Sequence, residues 1–115
     1  MSAKAFFVAL IRNDPAGTDG ERMRVRFNKE HGIVLDFTVQ YETPRRSTPG
    51  HHYAVVRYDT AHHRPHRDLL DAHGRTIDDG KQWLEMTYND ALTNAIKDIT
   101  TNWRSYRDDF YGRMT

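Results

Sequence analysis

Alternating apolar and polar residues dominate the first half of the chain. Between residues 22 and 27 every second residue is apolar, and the residues between them are arginines. A second alternating segment covers residues 33–41, after a connection of hairpin length. A period of two is typical of half-buried β-strands, so the pattern predicts two antiparallel strands with an arginine face. The apolar positions predicted to face the core are Met23, Val25, Phe27, Ile33, Leu35, Phe37, Val39 and Tyr41.

Three further segments have the composition of strands. Residues 3–12 are mostly apolar and precede a cluster of turn formers, which favours a strand, although their length also suits a short helix. Residues 53–58 are apolar on both faces and predict a central strand. Residues 69–71 and 76–77 predict a hairpin, and a short helix from Pro65 to Gly74 is the alternative. Residues 42–50 contain two prolines and predict a basic loop.

The C-terminal part of the chain has the period of an amphipathic helix. Apolar residues recur there at spacings of three and four, which predicts a helix over residues 88–111. Thr87 and Asp90 form a capping pattern at its start, and Gly112 is expected just past its end. The sequence therefore predicts a single α+β domain over residues 1–115, in which an antiparallel sheet of about four or five strands packs against one long C-terminal helix. The predicted apolar stripe is Leu92, Ala95, Ile96, Ile99, Trp103, Tyr106 and Phe110.

Composition narrows the kinds of site that the domain can carry. The 115 residues include no cysteine, so disulfides and thiolate chemistry are excluded, and any metal needs histidine and carboxylate ligands. The net charge of +1 provides no global attraction to nucleic acid, which leaves only a local basic face for that role. The apolar run near the N-terminus is too short to span a bilayer, and no cleavage site follows it. We therefore expect a cytoplasmic protein without a membrane association; an uncovered sheet face would also allow a homodimer.

The most reactive part of the chain is residues 57–68, which contain three histidines, two aspartates and three arginines. Histidine is the side chain best suited to proton transfer near neutral pH, and arginine stabilises charge that develops on phosphorus. This combination predicts metal-free acid–base chemistry on RNA. His62 and His66 would transfer the protons, Arg57 or Arg67 would bind the phosphate, and Tyr58 would stack or donate a proton. The predicted catalytic residues are His62, His66, Asp68, Arg57 and Asp59.

Two other interpretations of the same stretch stay open. No cofactor is required for acid–base chemistry, but His62, His63, His66 and Asp68 are also suitable ligands for a divalent metal. Pro65 disfavours the helical geometry that would bring His62 and His66 to one side. The structural alternative is that these histidines are surface residues, that Asp59 caps a turn and that Arg57 pairs with Asp68.

The arginine face is a candidate nucleic-acid surface, because arginine and lysine supply most of the sequence-independent affinity for phosphate backbones. Its alternative is an ordinary solvated sheet face. The two tryptophans, Trp83 and Trp103, are predicted to lie in the core. The predicted nucleic-acid-binding residues are Arg22, Arg24, Arg26, Arg45, Arg46 and Arg67.

The motif Arg57-Tyr58-Asp59-x-Ala61-His62-x-x-x-His66-Arg67-Asp68 resembles a family of small uncharacterised prokaryotic proteins, and the similarity extends to Lys81-x-Trp83 and Asn102-Trp103. More distantly, the segment is similar to the TumE-like toxins of toxin–antitoxin modules. That resemblance implies a small α+β toxin that acts on RNA, as a ribonuclease, and is held inactive by an antitoxin partner. The class alternatives are a non-catalytic module that binds nucleic acid or protein, and a small His/Asp metalloprotein.

Overall fold

The structure is a computed structural model that describes residues 2–13 and 20–114, with the backbone alone at residues 2–3 and 7–13. It contains one antiparallel sheet, in which each strand pairs with its neighbour in the sequence. One long helix follows the sheet. The α+β class is confirmed, with six strands instead of four or five. The elements are β1 (Ser2–Asn13), β2 (Gly20–Glu30), β3 (Ile33–Pro44), β4 (His52–Asp59), β5 (His66–Leu70), β6 (Thr76–Trp83) and α1 (Tyr88–Met114).

The hydrophobic core lies between α1 and the middle of the sheet. One stripe of α1 is buried, as the spacing predicted, and it includes Ala95, Ile99 and Phe110. Trp103 packs edge-on against Tyr41 of β3, with 6.2 Å between the ring centroids. Burial of side chains of this size removes apolar surface from water, which is the main stabilising term for so small a domain. The described residues include no helix with the length and hydrophobicity needed to cross a membrane.

Helix α1 begins as predicted but ends later. The Thr87 hydroxyl accepts a hydrogen bond from the Asp90 amide at 3.2 Å, which caps the first turn. The helix then continues past Gly112 to Met114, so the predicted stop was wrong. Contacts with the sheet hold the last turn in place. The Tyr111 hydroxyl donates to the Pro44 carbonyl at 3.1 Å, and Arg113 donates to the Leu70 carbonyl at 3.1 Å.

A register shift between β2 and β3 reverses the predicted alternation at the start of β3. Asn28 pairs with Asp36 whereas Lys29 pairs with Val34, so Leu35 is the extra residue of a bulge. Beyond the bulge the side chains change face. Val34 is buried, and Ile33 and Leu35 are exposed, contrary to the prediction that they face the core.

A second shift explains the apolar character of β4. Tyr41 pairs with Val56 and Glu42 pairs with Ala54, which leaves Val55 as the extra residue. Both Val55 and Val56 are buried, and β4 is an inner strand, as predicted. Strand β3 also extends through Pro44, so the predicted loop begins only after that residue.

Strands β5 and β6 form the predicted hairpin and not the alternative helix. Its turn is built around Asp71, whose carboxylate accepts hydrogen bonds from the amides of His73 at 2.8 Å and Arg75 at 3.0 Å. These backbone hydrogen bonds stabilise the charged carboxylate and hold the pKa of Asp71 below its usual range. Gly74 adopts a left-handed conformation with φ of 77°, which glycine accommodates without a steric penalty.

The sheet face opposite α1 is called the open face here, because within the described ranges 2–13 and 20–114 no helix packs on it. Directly paired residues of antiparallel strands share a face, so the registers show which side chains it carries. From β2 to β6 these include Arg22, Arg24, Arg26, Asn28, Asp36, Thr38, Gln40, Glu42, Arg57, Asp59, His66, Asp68, Lys81 and Trp83.

Candidate functional site

Three of the predicted catalytic residues meet on the open face where β4 ends and β5 begins. Asp59 and His66 are cross-strand partners, and Asp68 lies two residues farther along β5 on the same face. The His66 Nε2 atom is 2.9 Å from Asp59 Oδ1 and 3.2 Å from Asp68 Oδ2. His66 is 2% exposed, whereas the Asp59 side chain retains 18% exposure and forms the opening to solvent. We name this group the Asp59–His66–Asp68 cluster.

Each member of the cluster is oriented by another contact. The His66 Nδ1 atom lies 3.0 Å from the carbonyl oxygen of Arg64. Because a carbonyl only accepts hydrogen bonds, Nδ1 carries a proton and donates it. Asp59 Oδ1 accepts the Ala61 amide at 3.0 Å, and the Lys81 ammonium lies 2.9 Å from Asp68 Oδ1. The imidazole therefore directs Nε2 at two carboxylate oxygens.

The connection between β4 and β5 is short and tightly turned, which allows His66 to return opposite Asp59. A single 3₁₀ turn, Ala61–His63, contains the left-handed residues His62 and His63, with φ of 64° and 60°. Left-handed backbone is unusual for residues other than glycine and occurs where neighbouring structure enforces it. Here the Thr60 hydroxyl accepts the Phe37 amide at 3.1 Å and ties the loop to β3.

The rim of the cluster is formed by β6. Trp83 lies opposite His66 in the hairpin, with 5.1 Å between their ring centroids. The Arg64 guanidinium and the Lys81 ammonium lie 4.9 Å and 5.3 Å from the centre of the indole, within the range of cation–π attraction. Trp83 is 41% exposed, so the prediction that it belongs to the core was wrong. Because β6 is an edge strand and its register directs Trp83 to the open face, no core surrounds this side chain.

Lys81 is a residue of the site that was not predicted from the sequence. Lys81 and Trp83 are two apart, a spacing that directs both side chains to one face of a strand. This spacing indicates a shared face, but only the pairing of β6 with β5 brings that face to the cluster. Lys81 is the cross-strand partner of Asp68, which brings its ammonium to the cluster.

The other predicted catalytic residues lie outside the cluster. His62 and His63 are exposed on the 3₁₀ turn. Arg57 is on the open face and pairs with Asp68 in the register, but its Nε donates to Gln40 Oε1 at 2.8 Å. The side chains of Arg57 and Asp68 therefore have different partners.

Tyr58 lies on the helix side of the sheet and not at the cluster. Its hydroxyl donates to Asp98 Oδ2 at 2.6 Å, and the Tyr106 hydroxyl donates to the same oxygen. Burial raises the pKa of both tyrosines, and the hydrogen bonds to the Asp98 carboxylate raise it further. Tyr58 thus attaches α1 to β4, and the predicted stacking or proton-donor role has no geometric support.

The predicted nucleic-acid residues divide between the two faces. Arg67 is the cross-strand partner of Tyr58 and therefore faces the helix side. Arg45 stacks over Tyr53 at 4.4 Å and Arg46 over Tyr111 at 5.3 Å, beside the C-terminal end of α1. Within the predicted set, the open face receives Arg22, Arg24 and Arg26.

The three arginines that β2 contributes to the open face share two carboxylates. Arg22 Nε is 2.6 Å from Glu42 Oε1, and Arg24 Nε is 3.8 Å from the other oxygen of the same carboxylate. Arg26 lies 3.6 Å from Asp36, with its side chain 54% exposed. Glu42 is buried, whereas the side chains of Arg24 and Arg26 retain 40% and 54% exposure, so these two guanidinium groups are accessible to a ligand.

An exposed aromatic residue of β1 lies beside these arginines. Phe6 pairs with Arg26 in the register and is 58% exposed, and the Arg24 guanidinium lies 5.2 Å from its ring centre. A shallow depression of about 170 Å³ is present here. It is lined by Phe6, Arg24, Arg26, Thr38 and Gln40.

Fold and site together define a class of small α+β protein: a six-stranded antiparallel sheet, covered on one face by a C-terminal helix, with a buried Asp–His–Asp cluster on its open face. The chain belongs to the family described as a domain of unknown function, DUF7718, whose model matches residues 1–114. This agrees with the predicted membership of a small uncharacterised family. No curated protein and no solved structure matches the chain.

Proposed function

We propose that this protein acts on RNA, which it binds on the open face of the sheet. The observation that carries the proposal is the presence, on one uncovered face, of accessible guanidinium groups, exposed aromatic rings and the Asp59–His66–Asp68 cluster. Guanidinium groups bind phosphates, and bases of single-stranded RNA stack on exposed aromatic residues of a sheet. Among the described side chains of this face, the exposed rings are Phe6 and Trp83, each with a cation stacked over it.

The charge of the open face favours an anionic ligand. The open-face side chains named above comprise four guanidinium groups and the Lys81 ammonium against four carboxylates, and the excess of cations lies at β2, where three arginines face Glu42 and Asp36 of β3. Arg57 contributes to this excess of positive charge, because its Nε donates a hydrogen bond to the neutral side-chain amide of Gln40. A local positive charge attracts a phosphate backbone even though the whole chain has a net charge of only +1.

We assign the reaction to the β5–β6 side of the open face, across the sheet from Phe6. RNA that crosses from Phe6 towards β6 would reach Trp83 and the exposed side of Asp59, beside the Lys81 ammonium. A cation in this position stabilises charge that develops on a phosphate during cleavage. We therefore extend the proposal to a toxin-like ribonuclease, whose antitoxin partner would inhibit it by covering the open face.

RNA binding is tested by the salt dependence of affinity for a short single-stranded RNA. The double variant Arg24→Gln/Arg26→Gln should flatten the plot of log affinity against log salt by about 1.4, from two lost phosphate contacts. The matched control is Lys97→Gln/Arg104→Gln, which removes two exposed charges from α1. Equal slopes for the two double variants would contradict RNA binding on the open face.

Cleavage is tested separately by induced expression in bacteria, with growth and RNA integrity as the measurements. Wild type should arrest growth and degrade RNA, and Asp68→Asn should do neither while it retains RNA affinity. His62→Ala serves as the control, because His62 lies outside the cluster and should behave as wild type. Arrest by wild type and Asp68→Asn alike, or by neither, would contradict the ribonuclease assignment and leave the binding result unaffected.

A further inference from the structure

We propose that the Asp59–His66–Asp68 cluster is a divalent metal site, with His66 Nε2, Asp59 Oδ1 and Asp68 Oδ2 as the three protein ligands. The ligand set predicted from the sequence, which included His62 and His63, is thereby replaced by one with Asp59. The proposal does not depend on RNA as the substrate. It follows from the arrangement of electron-rich atoms in the cluster.

The arrangement requires a positive charge at its centre. The single proton of a neutral His66 ring lies on Nδ1, which donates to the Arg64 carbonyl at 3.0 Å. The lone pair of Nε2 then faces two carboxylate oxygens at 2.9 Å and 3.2 Å. Three lone pairs at these separations repel one another unless a cation lies between them. Either a second ring proton or a metal ion supplies that charge.

The spacing of the three atoms suits a metal ion. Ligands bonded at about 2.1 Å are separated by about 3.0 Å in octahedral geometry and about 3.4 Å in tetrahedral geometry. The three atoms all lie within 4.8 Å of one another, with two of the separations at 2.9 Å and 3.2 Å. Small shifts of these side chains would therefore bring all three atoms to bonding distance of one ion. The remaining coordination positions would be open to solvent on the side of Asp59.

A second and independent observation is the set of contacts behind each ligand. Metal-bound histidines usually donate their other ring N–H to a carbonyl or carboxylate, and metal-bound carboxylates are themselves hydrogen-bonded. His66 has the Arg64 carbonyl, Asp59 has the Ala61 amide, and the outer oxygen of Asp68 has the Lys81 ammonium. The outer oxygen is the one that does not face His66, so Lys81 and a metal ion would not compete for the same atom.

The donor set indicates which ions bind. One imidazole nitrogen with two carboxylate oxygens suits Zn²⁺, Mn²⁺ or Fe²⁺ better than Mg²⁺ or Ca²⁺, which prefer oxygen ligands alone. The expected order of affinity is Zn²⁺ above Mn²⁺ above Mg²⁺.

The test uses the full chain, stripped with a chelator and titrated with ZnCl₂, MnCl₂ or MgCl₂ by calorimetry. The background is the His62→Ala/His63→Ala variant, which removes two exposed histidines capable of adventitious binding. In that background, one Zn²⁺ or Mn²⁺ should bind per chain, and a concentration 100-fold above Kd should raise Tm by about 10 °C. Absence of binding heat for all three ions would overturn the proposal without reference to any substituted ligand.

Two further variants, in the same background, distinguish a metal site from a purely electrostatic cluster. Asp59→Asn should weaken Mn²⁺ binding by about tenfold or more, since it removes a charged ligand. Lys81→Met should weaken it by about tenfold, because it removes the contact that orients Asp68 while all three ligands are retained; a purely electrostatic cluster would instead gain affinity from the loss of a positive charge. Equal affinity in Asp59→Asn, or unchanged or stronger binding in Lys81→Met, would contradict the assigned position of the ion.

Discussion

At the scale of single residues, the buried polar side chains divide according to the face of the sheet they occupy. His66 and Asp68 are buried on the open face, where they contact charged groups next to solvent. Tyr41 and Tyr58 are buried on the helix side, where their hydroxyls donate to the carboxylates of Glu21 and Asp98. Such groups are stable inside a protein only when their hydrogen bonds are made. The buried groups of the open face therefore belong to the candidate site. The buried tyrosines connect strands to each other and to α1.

The helix-side tyrosines predict how stability depends on alkaline pH. Burial raises the pKa of Tyr41, Tyr58 and Tyr106, and hydrogen bonds to carboxylates raise it further. A folded-state pKa above the unfolded value favours folding below about pH 10, the ordinary tyrosine pKa, and this contribution is lost as the pH rises further. We expect these tyrosines to ionise only as the protein unfolds above that pH, with absorbance at 295 nm and circular dichroism changing together.

A substitution makes this measurement specific. Tyr58→Phe should remove one tyrosine from the absorbance step that accompanies unfolding. Ionisation of all six tyrosines in a protein that remains folded by circular dichroism would contradict the assignment.

At the scale of elements, the sequence predicted most of the fold because periodicity reports burial directly. Residues 22–27 alternate without interruption and form β2 with the predicted arginine face. The errors fall where a tertiary feature changes the phase or the length of an element. The bulge at Leu35 turned Ile33 outward, and sheet contacts of Tyr111 and Arg113 extended α1 past Gly112.

The site was predicted in part for the same reason. Asp59, His66 and Asp68 were identified because they lie close together in the sequence, and a two-residue spacing on a strand directs His66 and Asp68 to one face. Lys81 and Trp83 join them only through the β5–β6 register, which local patterns do not encode. His62 was assigned a catalytic role from its proximity in the sequence, yet a left-handed turn holds it on an exposed loop.

At the scale of the whole molecule, we propose that the two faces of the sheet have separate tasks. Five strand spacings separate β1 from β6, which gives a surface roughly 24 Å wide. One face is packed against α1 and stabilises the fold. The other has an aromatic ring and arginines at one side, and the Asp59–His66–Asp68 cluster with Trp83 at the other.

The two tryptophans report on the two faces within one sample. Trp83 is exposed on the open face, and Trp103 is buried beneath α1. In a ¹⁵N-labelled protein each indole N–H gives its own signal. Titration with a short single-stranded RNA should shift the Trp83 signal and leave the Trp103 signal in place. A shift of Trp103 alone, or of neither signal at saturating RNA, would contradict an open face that binds RNA.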